Sequence, residues 1–251
     1  HALAVGQMGL TLTRRNGQWE EVESGTPERL FDVDVNRSGQ AIAVGAFGAL
    51  LVSADAGQQW QSVKPQWAGW FGDPDGRLGG FFDPSLYGVQ IQDDGSAFAC
   101  GELSLIMHSS NGGQDWVRVH AGSSSSAGVS PTLSAIRIAR SGLGFAVGQE
   151  GAVLRTRDGG KSWSSVDLQT HANLLAVDLS AQGGVLIAGM RAMFLSRDEG
   201  ESWEQIRSTD LDRGWYSEVA WTEQGALAVG HQGQILKLTL PRMLSMATDG
   251  E

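Results

Sequence analysis

The stretch Thr156-Arg157-Asp158-Gly159-Gly160-Lys161-Ser162-Trp163 decides the fold, because the chain repeats it. The pattern returns as Ser53-Ala54-Asp55-Ala56-Gly57-Gln58-Gln59-Trp60 and as Ser109-Ser110-Asn111-Gly112-Gly113-Gln114-Asp115-Trp116. It returns again as Ser196-Arg197-Asp198-Glu199-Gly200-Glu201-Ser202-Trp203, with a shortened relative from Thr13 to Trp19. This is the Asp-box pattern, S/T-x-D-x-G-x-x-W. In such a turn the Asp or Asn side chain accepts backbone N–H bonds and the Gly takes a positive φ. The Trp offers a large ring to bury between neighbouring units. Structural roles are therefore predicted for Asp55, Trp60, Asn111, Trp116, Asp158, Trp163, Asp198 and Trp203.

Working outward, each turn belongs to a longer unit. A small-apolar triplet ending in Gly recurs at Ala4-Val5-Gly6, Ala43-Val44-Gly45, Ala99-Cys100-Gly101, Ala146-Val147-Gly148, Ile187-Ala188-Gly189 and Ala228-Val229-Gly230. The glycines lie 39, 56, 47, 41 and 41 residues apart, and five of the six are followed 13 to 15 residues later by Trp. A near-constant offset inside a variable period marks a repeated unit with insertions between copies. Before the later triplets runs an alternating stretch such as Leu30-Phe31-Asp32-Val33-Asp34-Val35 or Leu174-Leu175-Ala176-Val177-Asp178-Leu179. After it comes an apolar run such as Ala49-Leu50-Leu51-Val52. Period-two alternation with Gly-rich breaks is strand chemistry. Units of about 40 residues holding four short strands are propeller blades.

The expected fold is an all-β, single-domain β-propeller over residues 1–251. Six blades fit the markers, with seven as the alternative should one unit be unmarked. The first unit begins at its triplet, so its innermost strand is expected from the other end, with Met243 to Thr248 pairing beside residues 2 to 6. Such closure would remove two exposed sheet edges.

Composition narrows the function. Eighteen Lys and Arg against 28 Asp and Glu give a net charge of −10, which disfavours nucleic acid as a partner. The single cysteine, Cys100, excludes an internal disulfide framework, and a buried inert thiol is its expected state. No run of 18 apolar residues occurs, so no membrane span is expected. Opening on His1 rather than Met, the chain is expected to be trimmed or processed. An exported location, periplasmic or lumenal, is the matching expectation.

Motifs for chemistry are sparse. Gly159-Gly160-Lys161-Ser162 is not a phosphate loop, since Arg155 stands where the pattern requires Gly. Asp73-Pro74-Asp75-Gly76 reads as a turn before it reads as a calcium loop. His1, His108, His120, His171 and His231 show no metal-ligand spacing; no metal or cofactor is expected. Asp boxes also occur on bacterial sialidases, where they are structural, so they speak for fold alone. Sialidase chemistry needs an arginine cluster and a Tyr nucleophile beside a carboxylate. Tyr216 with Glu218 is the one nearby pair, and a core-packed tyrosine is its simpler reading.

The combined unit is best displayed by Gly144-Phe145-Ala146-Val147-Gly148-Gln149-Glu150-Gly151 leading to the Trp163 turn. It resembles the photosystem II stability/assembly factor family along nearly the whole chain. The resemblance implies a non-enzymatic propeller that assists assembly of membrane protein complexes. It also implies seven blades and an arginine-rich face, whereas this chain counts six units and scatters its arginines.

A protein partner, such as a membrane-protein subunit, is therefore expected, with a sialidase-like glycan-binding or glycan-hydrolysing propeller as the alternative. In a propeller, the loops from strand two to three and from strand four to the next blade share one face. There the candidate partner-binding residues are Phe47, Glu102, Glu150, Met190, Arg191 and His231. The long insertion at 64–84 adds Trp67, Trp70, Phe71, Phe81 and Phe82. Aromatic rings in a Gly-rich loop suit a docking surface, or they fold down as a plug over the neighbouring blade.

Overall fold

A computed structural model describes residues 1–67, 70–71, 83–122, 124–125, 128–208, 211 and 213–239. Six antiparallel sheets form a ring of blades. The first blade holds Leu3–Val5, Thr11–Arg15 and Gln18–Val22; the second holds Leu30–Val35, Ala41–Gly45, Leu50–Ser53 and Gln61–Ser62. The third comprises Leu86–Ile91, Ala97–Gly101, Ile106–Ser109 and Val117–His120. The fourth comprises Leu133–Ile138, Gly144–Gly148, Val153–Thr156 and Ser164–Ser165. The fifth is Leu174–Leu179, Val185–Gly189, Ala192–Ser196 and Glu204–Gln205, and the sixth is Tyr216–Thr222, Gly225–Gly230 and Ile235–Leu238. A two-stranded hairpin, Ser124–Ser125 with Gly128–Val129, lies outside the blades. The pairing expected of Met243 to Thr248 falls outside the described residues, as do Phe81 and Phe82.

The triplet strands are the middle strands, covered on both faces. Ala41–Gly45, Ala97–Gly101, Gly144–Gly148 and Val185–Gly189 are buried at every position. That is why they read as continuous apolar runs while the strands before them alternate. Each first strand contacts the first strand of the next blade from the second through the sixth. These five line the ring's centre.

The triplet glycine has a cause that lies in space. Its backbone is extended, near φ −167° at Gly45, a conformation open to any residue. A Cβ at Gly45, Gly101, Gly148, Gly189 or Gly230 would stand 2.0–2.2 Å from the carbonyl oxygen of Arg29, Ser85, Thr132, Asn173 or Trp215. Those same carbonyls accept the N–H of the residue after each glycine, at 2.8–3.1 Å. The middle strand therefore ends against the entry of its own first strand, with no room for a side chain.

Hydrophobic clusters fasten blade to blade. Trp116 of the third blade is 8% exposed and packs with Ile42 and Val52 of the second. Half-buried Trp163 sits against Phe98 of the third blade, and Trp203 meets Phe145 edge-on at 5.7 Å. Trp60 packs beside Val5 and Leu30.

Candidate functional site: the turn face and the channel

The two faces of the ring are built from different turns. On one face lie the Asp boxes. Asp158 Oδ1 accepts from the backbone N–H of Ser162 at 2.9 Å, and its Oδ2 accepts from the Ser162 hydroxyl. The Thr156 hydroxyl donates to Asp158 and accepts the buried N–H of Gly160. Asp198 repeats this with Ser202 and Ser196. These donors hold both carboxyls at about 2, well below the usual range. Asp55 accepts from the N–H groups of Gln58 and Gln59, and Asn111 Oδ1 accepts from that of Asp115. The indoles of Trp116, Trp163 and Trp203 donate to the carbonyls of Gly113, Gly160 and Gly200. Trp60 Nε1 is buried without a hydrogen-bond partner.

The opposite face carries the turn after each triplet. Gly9, Gly48 and Gly151 donate their N–H to the carbonyls of Glu28, Pro84 and Ala172, so this turn and the next blade's entry loop share one face. The second position after each triplet glycine is left-handed and never glycine: Met8 (φ 55°), Phe47 (51°), Leu103 (56°), Glu150 (56°), Arg191 (57°) and Gln232 (58°). None of these six is Asn or Asp, the residues that tolerate this region best after glycine; the next position is also left-handed in five of the six turns, at Gly9, Gly48, Ser104, Gly151 and Gly233. The backbone is constant while the side chains vary. Met8 is 86% exposed and Phe47 72%, whereas Leu103 is 4% exposed. Glu150, Arg191 and Gln232 point polar groups outward on the other half of the ring.

Among the other sequence-predicted residues, Glu102 accepts the N–H of Ser85. Met190 is 46% exposed and forms a bridge to Trp215. His231 lies against Trp215 at 5.5 Å. Trp67, Trp70 and Phe71 are partly buried against the cluster shared by the second and third blades. Trp67 and Trp70 meet edge-to-face at 5.2 Å, and the Arg118 guanidinium donates to the Trp70 carbonyl. These three rings lean on the blades. Tyr216 is 2% exposed within the core of the last two blades.

The channel holds residues that sequence reasoning passed over as site candidates. The first strands present free N–H groups toward the axis, and side chains of the preceding blade take them up. Asp32 accepts from Val89, Asp34 from Ile91, Gln90 from Ile138 and Asp178 from Trp221, at 2.7–2.9 Å. At the position matching Asp34 the fourth blade has Arg137, whose guanidinium donates instead to the Val89 carbonyl at 3.2 Å. Burial opposes its charge, but Asp32, Glu218, Asp34 and Asp178 outweigh that and raise its pKa. Burial raises Asp32, Asp178 and Glu218 despite the opposing pull of Arg137. Glu218 is nevertheless more than a third exposed.

At the channel mouth, Phe31 stacks on Tyr87 at 4.7 Å and 10°, and the Arg29 guanidinium lies 5.3 Å over the Phe31 ring. Both aromatic residues sit at the register shift near the start of their strands, which turns them off the regular alternation. The repeat itself was the available signal, because Phe31 and Tyr87 occupy the same place in consecutive blades.

The profile of the family described as photosynthesis system II assembly factor YCF48 matches residues 12–126 and 123–239. The chain belongs to that family. Among solved structures, it is similar to YCF48 bound to D1 peptide, at 19% identity and a TM-score of 0.62, covering 89% of this chain and 68% of that one. YCF48 from Cyanidioschyzon merolae matches at 17% identity and 0.58, covering 83% and 66%. The chain thus spans about two-thirds of the length of these two YCF48 structures. A catalytically inactive virginiamycin B lyase from Staphylococcus aureus, with quinupristin, matches at 10% identity and 0.65, covering 93% and 82%. Likeness at these identities speaks for the propeller alone. No curated protein sequence matches the chain. Among the described residues, no helix is long and apolar enough to cross a membrane.

Proposed function

We propose that this YCF48-family chain is a non-enzymatic, protein-binding propeller that assists the assembly or stability of a membrane-associated complex. The observation that carries this reading is the family match over residues 12–239. The YCF48 structure with a bound D1 peptide adds a relative that takes a peptide ligand. The binding surface in this reading is the turn face, with Phe47, Glu102, Glu150, Met190, Arg191 and His231 on the ring. Trp67, Trp70 and Phe71 of the insertion belong to it in this reading, and Phe81 and Phe82 are added from the sequence alone. An exported location, periplasmic or lumenal, goes with such a partner. The sialidase-like alternative calls for several guanidinium groups converging on a substrate carboxylate. Among the described residues, the guanidinium of Arg137 instead donates to the backbone carbonyls of Val89 and Ile136.

The test is purification of the tagged chain from its native organism after membranes are solubilised. Recovery of a membrane-protein subunit in near-equal amounts is expected. Recovery of no partner, or turnover of a glycan by the pure chain, would overturn the reading.

A further inference from the structure

The turn face is divided. Over the first two blades it presents Met8 and Phe47, large apolar side chains held outward on left-handed backbone that costs free energy for any residue except glycine. Over the fourth to sixth blades the equivalent positions are Glu150, Arg191 and Gln232. Between the halves opens the channel, with Phe31 stacked on Tyr87 at one side of its mouth. Glu218 lies opposite, two residues into the first strand of the last blade.

Charge on this face and in the channel is unbalanced. Among the residues already placed there, Asp32, Asp34, Glu102, Glu150, Asp178 and Glu218 are acidic, against the guanidinium groups of Arg29, Arg137 and Arg191; the entry loops add Glu28 and Asp83 against Arg213. Arg137 is already engaged by its neighbours, and Arg29 lies over Phe31. Glu218 accepts the N–H of Val219 through one oxygen and keeps solvent access. A cation on an incoming chain would meet a field of the right sign, within walls that screen it poorly.

We propose that the turn face docks an extended partner segment in which an aromatic or aliphatic residue precedes or follows a lysine or arginine by three to five positions. The apolar side chain seats on Met8 and Phe47 beside the Phe31–Tyr87 stack. The cation enters the channel mouth toward Glu218. An extended chain advances roughly 3.3 Å per residue, so that spacing spans about 10–17 Å. This inference rests on the protein-binding reading above and adds the partner's chemistry.

The probe is a set of fluorescein-labelled Ala/Ser nonapeptides carrying one Phe or Leu and one Lys at each spacing, read by anisotropy against the full chain. Matched sets replace Lys with Glu or Phe with Ser. Peptides with the stated pair are expected to bind, and Lys to Glu is expected to weaken them at least tenfold. The double variant Met8→Asn, Phe47→Asn should lose about tenfold in affinity while its melting temperature holds or rises, because Asn is at ease in left-handed backbone. Glu218→Gln should cost about threefold and flatten the dependence on salt. Trp19→Ser, on the exposed outer strand of the first blade, should bind as the parent does. Preference for acidic peptides, or unchanged binding by the double variant, overturns the proposal. Failure here with a membrane subunit still recovered by purification removes this docking chemistry and leaves the assembly reading standing; failure of both removes both.

Discussion

The Asp-box turn and the post-triplet turn are each repeated around the ring, yet they repeat different things. In the Asp box the side chains recur with their bonds: Thr156 and Ser196 each accept a buried Gly N–H, and Asp158 and Asp198 each accept from a Ser four residues later. In the post-triplet turn the backbone recurs, closed by Gly in four of the six copies, while the position before it, with φ between 51° and 58°, is Met, Phe, Leu, Glu, Arg or Gln. A turn that repeats its side chains is fixing the fold. A turn that repeats its strain while changing its side chain has left that side chain to another use.

The contrast can be broken most forcefully at the Asp-box side. Trp116→Ala removes a ring 8% exposed between two blades and leaves the cavity unfilled. A loss of about 4 kcal/mol is expected by chemical denaturation. A loss below about 1 kcal/mol would mean that the ring is not what fastens those blades. Next in size comes the triplet end. Gly148→Ala places a methyl 2.0 Å from the Thr132 carbonyl, so the strand end must shift and its bond from Gln149 N–H must lengthen. About 2–3 kcal/mol is expected, as for other overpacked sites. An unperturbed melting temperature would show that a strand entry can move freely.

Replacing Thr156 by Val sharpens the same comparison at smaller scale. The buried N–H of Gly160 loses its acceptor and Asp158 loses a donor. The expected cost is about 1–2 kcal/mol. Phe47→Asn across the ring should leave stability within about 0.5 kcal/mol of the parent or above it. Equal costs at the two sites would erase the distinction between the turns.

Much of this was legible in sequence for a physical reason. The Asp box is local, so its Ser or Thr, Asp, Gly and Trp announce themselves within eight residues. The strand pattern follows from burial on one face or two. The triplet glycine was visible, but its cause was not, because the clashing carbonyl lies 16 residues upstream in the chain at Arg29 for Gly45. The channel was hidden further. Asp32 and Asp34 read as the polar half of an alternating strand, and nothing local says that each meets an N–H 57 residues on. Arg137 reads as one arginine among scattered ones until the ring brings its guanidinium to the Val89 carbonyl of the preceding blade. Trp67 and Trp70 show the limit from the other side, since a Gly-rich aromatic loop signals apolar contact without naming what is contacted. Here the described rings lean on the second and third blades.

The smallest effect separates the two regions by pH. Asp158 and Asp198 titrate at about 2 in the folded chain, against about 3.9 when unfolded. Their stabilisation is therefore present above pH 4 and is lost as pH falls toward 2. Asp32, Asp178 and Glu218 are shifted the other way, raised by burial. A carboxyl with a raised folded pKa binds its proton more tightly when folded, so its contribution grows as acid protonates it and is complete below the unfolded value. Loss of the chain's net negative charge on acidification relieves self-repulsion and adds in the same direction, and a surface control removes it. The melting temperature is expected to climb between neutrality and about pH 5, then to fall below pH 4. Glu218→Gln should flatten the climb by about 1–2 °C, as a change well under 1 kcal/mol does in a chain of this size. Glu21→Gln, exposed on the outer strand of the first blade, serves as the control with the same charge change. Equal flattening by the two variants would show that the climb reports total charge and that the channel carboxylates carry no special share of it.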